Sequence, residues 1–168
     1  MPPTFMQGDL SAHFDDREAL LLFTANGVIS PTTGRLALRS GFARQVNDAF
    51  PSIAYELGQG IIARGCFRSG IVFTYHLEIH RRWTGRLIGA FQVKYHWRWP
   101  ASLDLIATSV TRLKMWCDTH PGVAVHLNYP GIGLGELTPA QVAPLLAILP
   151  PRVHVYRLEP ESESEAVP

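Results

Sequence analysis

The stretch Tyr129-Pro-Gly-Ile-Gly-Leu-Gly-Glu-Leu137 decides how the fold is interpreted. It follows an apolar run at residues 123–128 that predicts a β-strand, and it precedes residues 138–149, whose apolar spacing predicts a helix. Three glycines at alternate positions leave no Cβ in the way of a closely approaching ligand. A strand, a glycine loop and a helix in this order can place backbone N–H groups around an anion. The stretch therefore predicts an anion-binding loop at the end of a strand.

Strand-like and helix-like patterns alternate along the rest of the chain. Residues 19–24 are continuously apolar, as in a strand buried on both faces of a largely parallel sheet. Helical spacing of apolar residues begins at Gly41, again at Pro51, and again after Ser102, which is a suitable N-cap. Residues 78–84 carry polar and aromatic side chains and are predicted to form a loop. Further strands are predicted at residues 4–7, 71–77, 85–93 and 152–158.

This alternation predicts an α/β fold, a three-layer α/β/α sandwich with a mixed, mostly parallel central sheet. At 168 residues the chain suits one domain, which we expect to span residues 1–158. Residues 159–168 are acidic and lack aromatic side chains, and we predict a disordered tail there. Ligands of such sheets bind at the C-terminal ends of the strands. We therefore expect the site where the glycine loop meets the segments that follow Thr24 and Phe91.

Composition narrows the class of protein. The tail holds four glutamates, which leaves 15 basic residues against 14 − 4 = 10 acidic ones, a charge of about +5 on the rest of the chain. This mild excess fits a small anionic ligand, and no basic run typical of nucleic-acid binders occurs. We find no signal peptide and no apolar run of about 18–20 residues that could cross a membrane. Cys66 and Cys117 are far apart, form no metal-spaced pair and are expected to be reduced thiols of a cytoplasmic protein. We also predict a monomer without cofactor or metal.

Four segments are informative through their order and spacing. They are Gln7-Gly-Asp-Leu10, Leu20-Leu-Leu-Phe-Thr-Ala-Asn26, Leu36-Ala-Leu-Arg-Ser-Gly-Phe-Ala-Arg-Gln45 and Pro130-Gly-Ile-Gly-Leu-Gly135. Together they resemble the macrodomains, a family that binds ADP-ribose. The resemblance covers residues 5–158, nearly the whole chain, and agrees with the fold predicted above. It implies that the chain binds ADP-ribose or ADP-ribosylated protein or DNA.

The resemblance implies roles at both ends of the ligand. Asp9 would accept a hydrogen bond from the adenine amino group, supported by the N–H of Leu10, although an aspartate here can also simply cap a turn. Asn26 would contact the distal ribose hydroxyls, since an amide both donates and accepts. The alternative for Asn26 is an Asn-Gly turn, which is compatible with ligand contact.

The resemblance also implies two phosphate loops. Ser40, Gly41 and Phe42 correspond to the first loop, but Arg39 and Ser40 stand where many members of the family have glycine. Arg39 could pair with a phosphate or be a solvated arginine. In the second loop the backbone N–H groups would wrap the diphosphate, although the glycines could also make a tight turn. A dinucleotide-binding Rossmann motif is disfavoured because its third glycine is missing at the required spacing. The second-loop residues are Gly131, Ile132, Gly133, Leu134 and Gly135.

The segment from Phe91 to Pro100 is similar to one macrodomain branch, the terminal ADP-ribose–protein glycohydrolases and the antitoxins that remove ADP-ribose from thymine in DNA. In that branch a lysine directly after the strand performs the chemistry, and Lys94 occupies this position. Desolvation could lower the pKa of Lys94, so that the neutral amine attacks the anomeric carbon of the distal ribose. The alternative is a solvent-exposed lysine. The branch also carries an acidic residue in the second loop, where this chain offers only Glu136.

The leading hypothesis is an ADP-ribosyl hydrolase that removes ADP-ribose from a modified protein or nucleic-acid base through Lys94. One alternative is a module that binds ADP-ribose without hydrolysing it. Another is a phosphatase acting on ADP-ribose-1''-phosphate. A zinc site at His76 and His80 is not expected, because residues four apart in a strand lie roughly 13 Å from each other.

Overall fold

A computed structural model describes residues 2–158, so the predicted acidic tail lies outside the described residues. The strands are β1 (Thr4–Gln7), β2 (Leu20–Ala25), β3 (Phe67–Ser69), β4 (Val72–Thr74), β5 (Leu77–Arg81), β6 (Leu87–Gln92), β7 (Val125–Asn128) and β8 (Val153–Arg157). The helices are α1 (Gly41–Ala49), α2 (Ile53–Ala63), α3 (Leu103–Thr119) and α4 (Pro139–Leu146), with short 3-10 segments at Leu10–His13 and Gly133–Gly135. None of these helices is long and apolar enough to cross a bilayer.

Six of the strands form one sheet in the order β1-β8-β7-β2-β6-β5. Every neighbouring pair is parallel except β5 with β6, which is antiparallel. The continuously apolar strand β2 lies between β7 and β6, and Leu20 is in register with Val125 on one side and Leu87 on the other. The prediction of a mixed, mostly parallel sheet is confirmed.

The sheet is covered by helices on both faces. Because successive side chains of a strand point to opposite faces, β2 supplies both cores. Leu21 and Phe23 pack with side chains of α1 and α2, whereas Leu20 and Leu22 pack with side chains of α3 and α4. All four of these β2 side chains are fully buried. The three-layer α/β/α sandwich predicted from the sequence is therefore confirmed.

Two predictions around β5 are wrong. Residues 71–77 do not form one strand, because the chain turns at His76, whose φ is 63°, and β4 pairs with β3 in a separate hairpin. The buried side chain of Gln92 holds this turn, since its Oε1 accepts hydrogen bonds from the N–H groups of Tyr75 and His76, each at 2.9 Å. Residues 78–81, predicted as loop, belong to β5, which tolerates polar side chains because it is an edge strand.

The helices after β6 and after the glycine loop begin at capped residues. Ser102 accepts a hydrogen bond from the N–H of Leu105, as predicted, and Thr138 forms a reciprocal capping box with Gln141. Helix α4 ends at Leu146, earlier than the predicted residue 149. The N–H of Ala101, just before α3, donates to the carbonyl of Gly135 at 2.9 Å. This hydrogen bond therefore joins the start of α3 to the end of the glycine loop.

Candidate functional site

The parallel strands β2 and β7 separate at their C-terminal ends. Their backbone pairing ends at Leu22 with Leu127, and beyond this pair the side chain of Asn128 forms the hydrogen bonds between the two strands. The Asn128 amide oxygen accepts from the N–H of Thr24 at 2.9 Å, and its nitrogen donates to the Thr24 hydroxyl at 2.8 Å. A side chain inserted between two strands holds them apart, which opens a crevice at the strand ends where α/β sheets bind ligands.

The crevice contains two adjoining cavities. The first, called here the Lys94 cavity, has a volume of about 340 Å³, and the second, the Asp9 cavity, about 610 Å³. They share Gly41, Phe42, Asn128, Ile132, Gly133 and Leu158. Every site residue predicted from the sequence lines at least one of these cavities. Asp9 and Leu10 line only the Asp9 cavity. The residues that line only the Lys94 cavity are Asn26, Ser40, Lys94, Gly131, Leu134 and Gly135. The two cavities together are called the cleft.

The glycine loop has a conformation that side chains would disturb. Gly131 has a φ of +77°, and a Cβ there would lie 2.8 Å from Leu137 Cδ1 and 2.9 Å from Ile106 Cδ1. Its carbonyl accepts a hydrogen bond from the N–H of Leu137 at 2.9 Å, which closes the loop. At Gly133, where φ is +66°, a Cβ would meet nothing within 4 Å. The loop is tightly packed beneath Gly131 and open to the cleft at Gly133.

Backbone N–H groups without partners line the boundary between the cavities. In the glycine loop, Gly133 and Leu134 have no hydrogen-bond acceptor for their N–H groups among residues 2–158, whereas Gly135 donates to the carbonyl of Ile132 at 3.3 Å. The N–H of Gly135 is therefore used within the loop, and its role as a phosphate donor stays a prediction. Facing them, Ser40 is the N-cap of α1 but forms no side-chain capping bond, so the first-turn amides of this helix are also available.

Asn26 has a local structural role in the cleft wall. Its amide nitrogen donates to the carbonyl of Ala37 at 2.9 Å, and its oxygen accepts from the N–H of Val28 at 2.8 Å. The turn foreseen as the alternative is thus present. An amide has two hydrogens and a carbonyl oxygen with two lone pairs, so these two bonds use half of the hydrogen-bonding capacity of Asn26. At Gly27 a Cβ would lie 2.1 Å from the carbonyl oxygen of Phe73, which explains the glycine that follows Asn26.

Asp9 and Arg39 both have partners of their own. One carboxylate oxygen of Asp9 accepts from the N–H of Ser11 at 2.9 Å, so the residue caps the short 3-10 segment, and its second oxygen is left for another donor. The guanidinium of Arg39 lies 4.0 Å from the centroid of the Trp97 ring, and both residues line the Lys94 cavity. Arg39 is therefore exposed and stacked on an aromatic ring at the cleft.

The side chain of Lys94 is hydrogen-bonded to the glycine loop. Its ammonium donates to the carbonyl oxygen of Leu134 at 3.0 Å, and its own carbonyl accepts from the Gln92 side chain at 3.1 Å. Burial lowers the pKa of Lys94 below its ordinary value, and the negative charge of Glu136 opposes this. The lysine is partly buried, which differs from the alternative of a solvent-exposed side chain.

Sequence reasoning missed several residues that shape the cleft. Asn128 and Thr24 end two neighbouring strands, and their polarity at the end of apolar runs was the available signal. Gln92 is fully buried, and nothing in its sequence neighbourhood distinguishes it from a surface glutamine.

No model of a known family matches the sequence, and no curated protein does either. Solved structures do match. The structure of Thermosipho africanus DarTG in complex with ADP-ribose has 20% identity and a TM-score of 0.70, and the match covers 96% of this chain but only 43% of the DarTG chain.

Two macrodomain structures match over almost their whole length. The macrodomain of Thermus aquaticus DarG has 24% identity and a TM-score of 0.61, with 94% of this chain and 97% of that one covered. The macrodomain of Mycobacterium tuberculosis DarG has 23% identity and a TM-score of 0.61, with 95% and 97% covered. Identities this low establish a shared fold and nothing finer. The resemblance found in the sequence is confirmed at that level: this chain has the macrodomain fold.

Proposed function

We propose that the cleft binds ADP-ribose and that Lys94 removes ADP-ribose from a modified protein or nucleic-acid base. The observation that carries this proposal is the arrangement of the cleft: Asp9 lies at one end, Lys94 at the other, and partnerless N–H groups lie between them. A macrodomain-fold protein in the comparison, Thermosipho africanus DarTG, was solved with ADP-ribose, which supports the same ligand here.

The diphosphate is assigned to the boundary of the two cavities. The N–H groups of Gly133 and Leu134 on one side and of Gly41 and Phe42 on the other can donate to phosphate oxygens. The positive end of the α1 dipole adds to this attraction. Hydrogen bonds to a charged acceptor contribute roughly 1.5–3 kcal/mol each, so these amides can supply much of the binding energy. The free oxygen of Asp9 then accepts from the adenine amino group.

The chemistry assigned to Lys94 is nucleophilic substitution at the distal ribose. The neutral amine forms a bond to the anomeric carbon, and the bond from that carbon to the acceptor breaks, with its electron pair leaving on the acceptor, which takes up a proton. Water then replaces the lysine nitrogen at the anomeric carbon and restores the free amine. The lowered pKa of Lys94 favours this step, because burial disfavours the protonated form.

One observation favours the alternative of a non-hydrolysing ADP-ribose-binding module. Among residues 2–158 no carboxylate lies within ion-pair distance of the Lys94 ammonium, and the nearest acidic influence is the charge of Glu136. A hydrolase needs a group that helps water in the second step, and among residues 2–158 we assign this role to Glu136, whose charge acts on Lys94.

Three substrates distinguish the candidate functions. The protein should be incubated separately with ADP-ribosylated DNA, ADP-ribosylated protein and ADP-ribose-1''-phosphate, and the products separated by chromatography. Free ADP-ribose from either macromolecule is the expected result, and the better substrate identifies the acceptor. Tight ADP-ribose binding with no release from any substrate would establish the binding module, and release of inorganic phosphate from the third substrate would establish the phosphatase.

The rate of ADP-ribose release should rise with pH. Only the neutral amine attacks, and burial lowers the pKa of Lys94, so the active fraction grows as the pH increases toward that pKa. Because the charge of Glu136 holds the pKa up, Glu136→Gln should shift the rising limb of kcat/KM to lower pH. A profile measured between about pH 6 and 9 that is flat or falling would contradict the role of Lys94 as a neutral nucleophile.

A further inference from the structure

Another cavity, separate from the two that form the cleft, lies at the opposite end of the sheet. Arg17 precedes β2 and Arg86 precedes β6, whereas Asn26 and Lys94 follow the same two strands. Six residues of extended strand span about 20 Å, so the two sites are well separated. This cavity has a volume of about 440 Å³ and is called here the Arg86 cavity. Its lining includes Asp15, Arg17, Phe50, Arg82, Thr84 and Arg86.

Two nitrogen atoms of the Arg86 guanidinium are buried without a hydrogen-bond acceptor in the described part of the chain. The residue is 5% exposed, and these atoms, Nε and Nη2, have no partner among residues 2–158. The nearest carboxylate by charge is Asp16, but one oxygen of Asp16 is committed to His126 at 2.8 Å. A buried charge is costly, and burial lowers the pKa of Arg86, although the charges of Asp16 and Asp15 oppose this. Such a group is expected where a charged partner binds from outside.

Two further arginines face the same space. The guanidinium carbons of Arg82 and Arg86 lie 5.8 and 5.6 Å from the centroid of the Phe50 ring, so this ring positions both cations. Arg82 is only weakly neutralised, because its closest carboxylate atom, on Glu56, is 3.9 Å away. Arg17 is exposed at the rim. Against these three positive charges the lining offers one carboxylate, that of Asp15, while Asp16 and Glu56 lie behind the lining.

We propose that the Arg86 cavity binds a phosphate group, either as inorganic phosphate or as a phosphate monoester. Guanidinium groups present paired N–H donors that match the oxygens of phosphate, and two or three of them around one anion make the strongest such sites. The hydroxyl of Thr84, which already accepts from the N–H of Arg86 at 3.5 Å, can donate its proton to the bound anion.

The test uses site-resolved titration, because the cleft itself could also take up phosphate. Uniformly ¹⁵N-labelled protein is titrated with inorganic phosphate and, separately, with phosphoserine at constant ionic strength. We expect saturable shifts of the Phe50 and Thr84 amides, with the tighter probe showing which form of phosphate the site takes. Arg86→Met should weaken this binding about tenfold or more, and Arg17→Ala severalfold. The matched control is Arg112→Ala, an exposed arginine on α3, which should change nothing.

If Arg86→Met does not fold, Arg17→Ala still tests the proposal, because Arg17 is exposed and its replacement removes no core packing. Shifts confined to cleft amides such as Phe42 and Gly133 would overturn the proposal. So would wild-type phosphate affinity in Arg17→Ala, or an equal loss in Arg112→Ala, which would indicate only a general effect of surface charge.

Discussion

Replacing Lys94 by methionine is expected to lower the rate of ADP-ribose release by on the order of a thousandfold or more, as for other residues that form the covalent bond. Methionine keeps the apolar stem and removes the amine. The variant also loses the hydrogen bond to the Leu134 carbonyl, but the N–H groups assigned to the diphosphate are unchanged. Affinity for ADP-ribose should therefore stay within about threefold, less than 1 kcal/mol. Single-turnover kinetics and calorimetry measure the two effects separately.

The chain offers a matched control, because Lys94 and Lys114 are its two lysines. Lys114 is on α3, paired with Asp118 at 2.7 Å, and Lys114→Met should hydrolyse at the wild-type rate. An amine bonded to an anomeric carbon opens to an iminium that borohydride reduces, so quenching a reaction with borohydride should leave a stable adduct on Lys94. Unchanged turnover in Lys94→Met would remove Lys94 from the mechanism.

Replacing Gln92 by leucine should destabilise the fold by about 4 kcal/mol, which for a chain of this size lowers Tm by roughly 10 °C. The fully buried amide serves four backbone groups that leucine cannot satisfy. Its nitrogen donates to the carbonyls of Phe73 and Lys94, and its oxygen accepts from two N–H groups at the turn before β5. Each unsatisfied buried group costs about 1–3 kcal/mol. Urea denaturation followed by circular dichroism measures the loss.

Gln59→Leu is the comparison for this prediction. Gln59 is partly buried, and its one described hydrogen bond is a long contact of 3.5 Å to the carbonyl of Gly34, so its loss should cost less than about 1 kcal/mol. If Gln92→Leu were no less stable than Gln59→Leu, the turn before β5 and the backbone of Lys94 would not depend on the buried amide.

The parts of the fold that could be predicted are those whose signal comes from residues adjacent in the sequence. The glycine loop was recognisable because Gly131 must adopt a positive φ over tightly packed side chains. Strand β2 was recognisable because both its faces are buried, which requires an uninterrupted apolar run. The N-cap Ser102 was recognisable because capping uses a short polar side chain directly before an apolar helix.

The features that sequence reasoning missed depend on contacts distant in the chain. Asn128 and Thr24 are 104 residues apart, and their mutual hydrogen bonds exist only because β2 and β7 are neighbours in the sheet. Strand β5 was mistaken for a loop because an edge strand with one polar side lacks an apolar signature. The burial of Arg86 depends on how the turn before β6 folds against Phe50.

The central claim, that this cleft is an ADP-ribose site, is tested most directly by calorimetric titration of ADP-ribose into wild-type protein and Asp9→Asn. Asparagine keeps the capping oxygen for the Ser11 N–H but replaces the free carboxylate oxygen by an N–H₂ group, which cannot accept from adenine. We expect one site per chain in the wild type and about tenfold weaker binding or more in the variant. No measurable binding by the folded wild type would contradict the account.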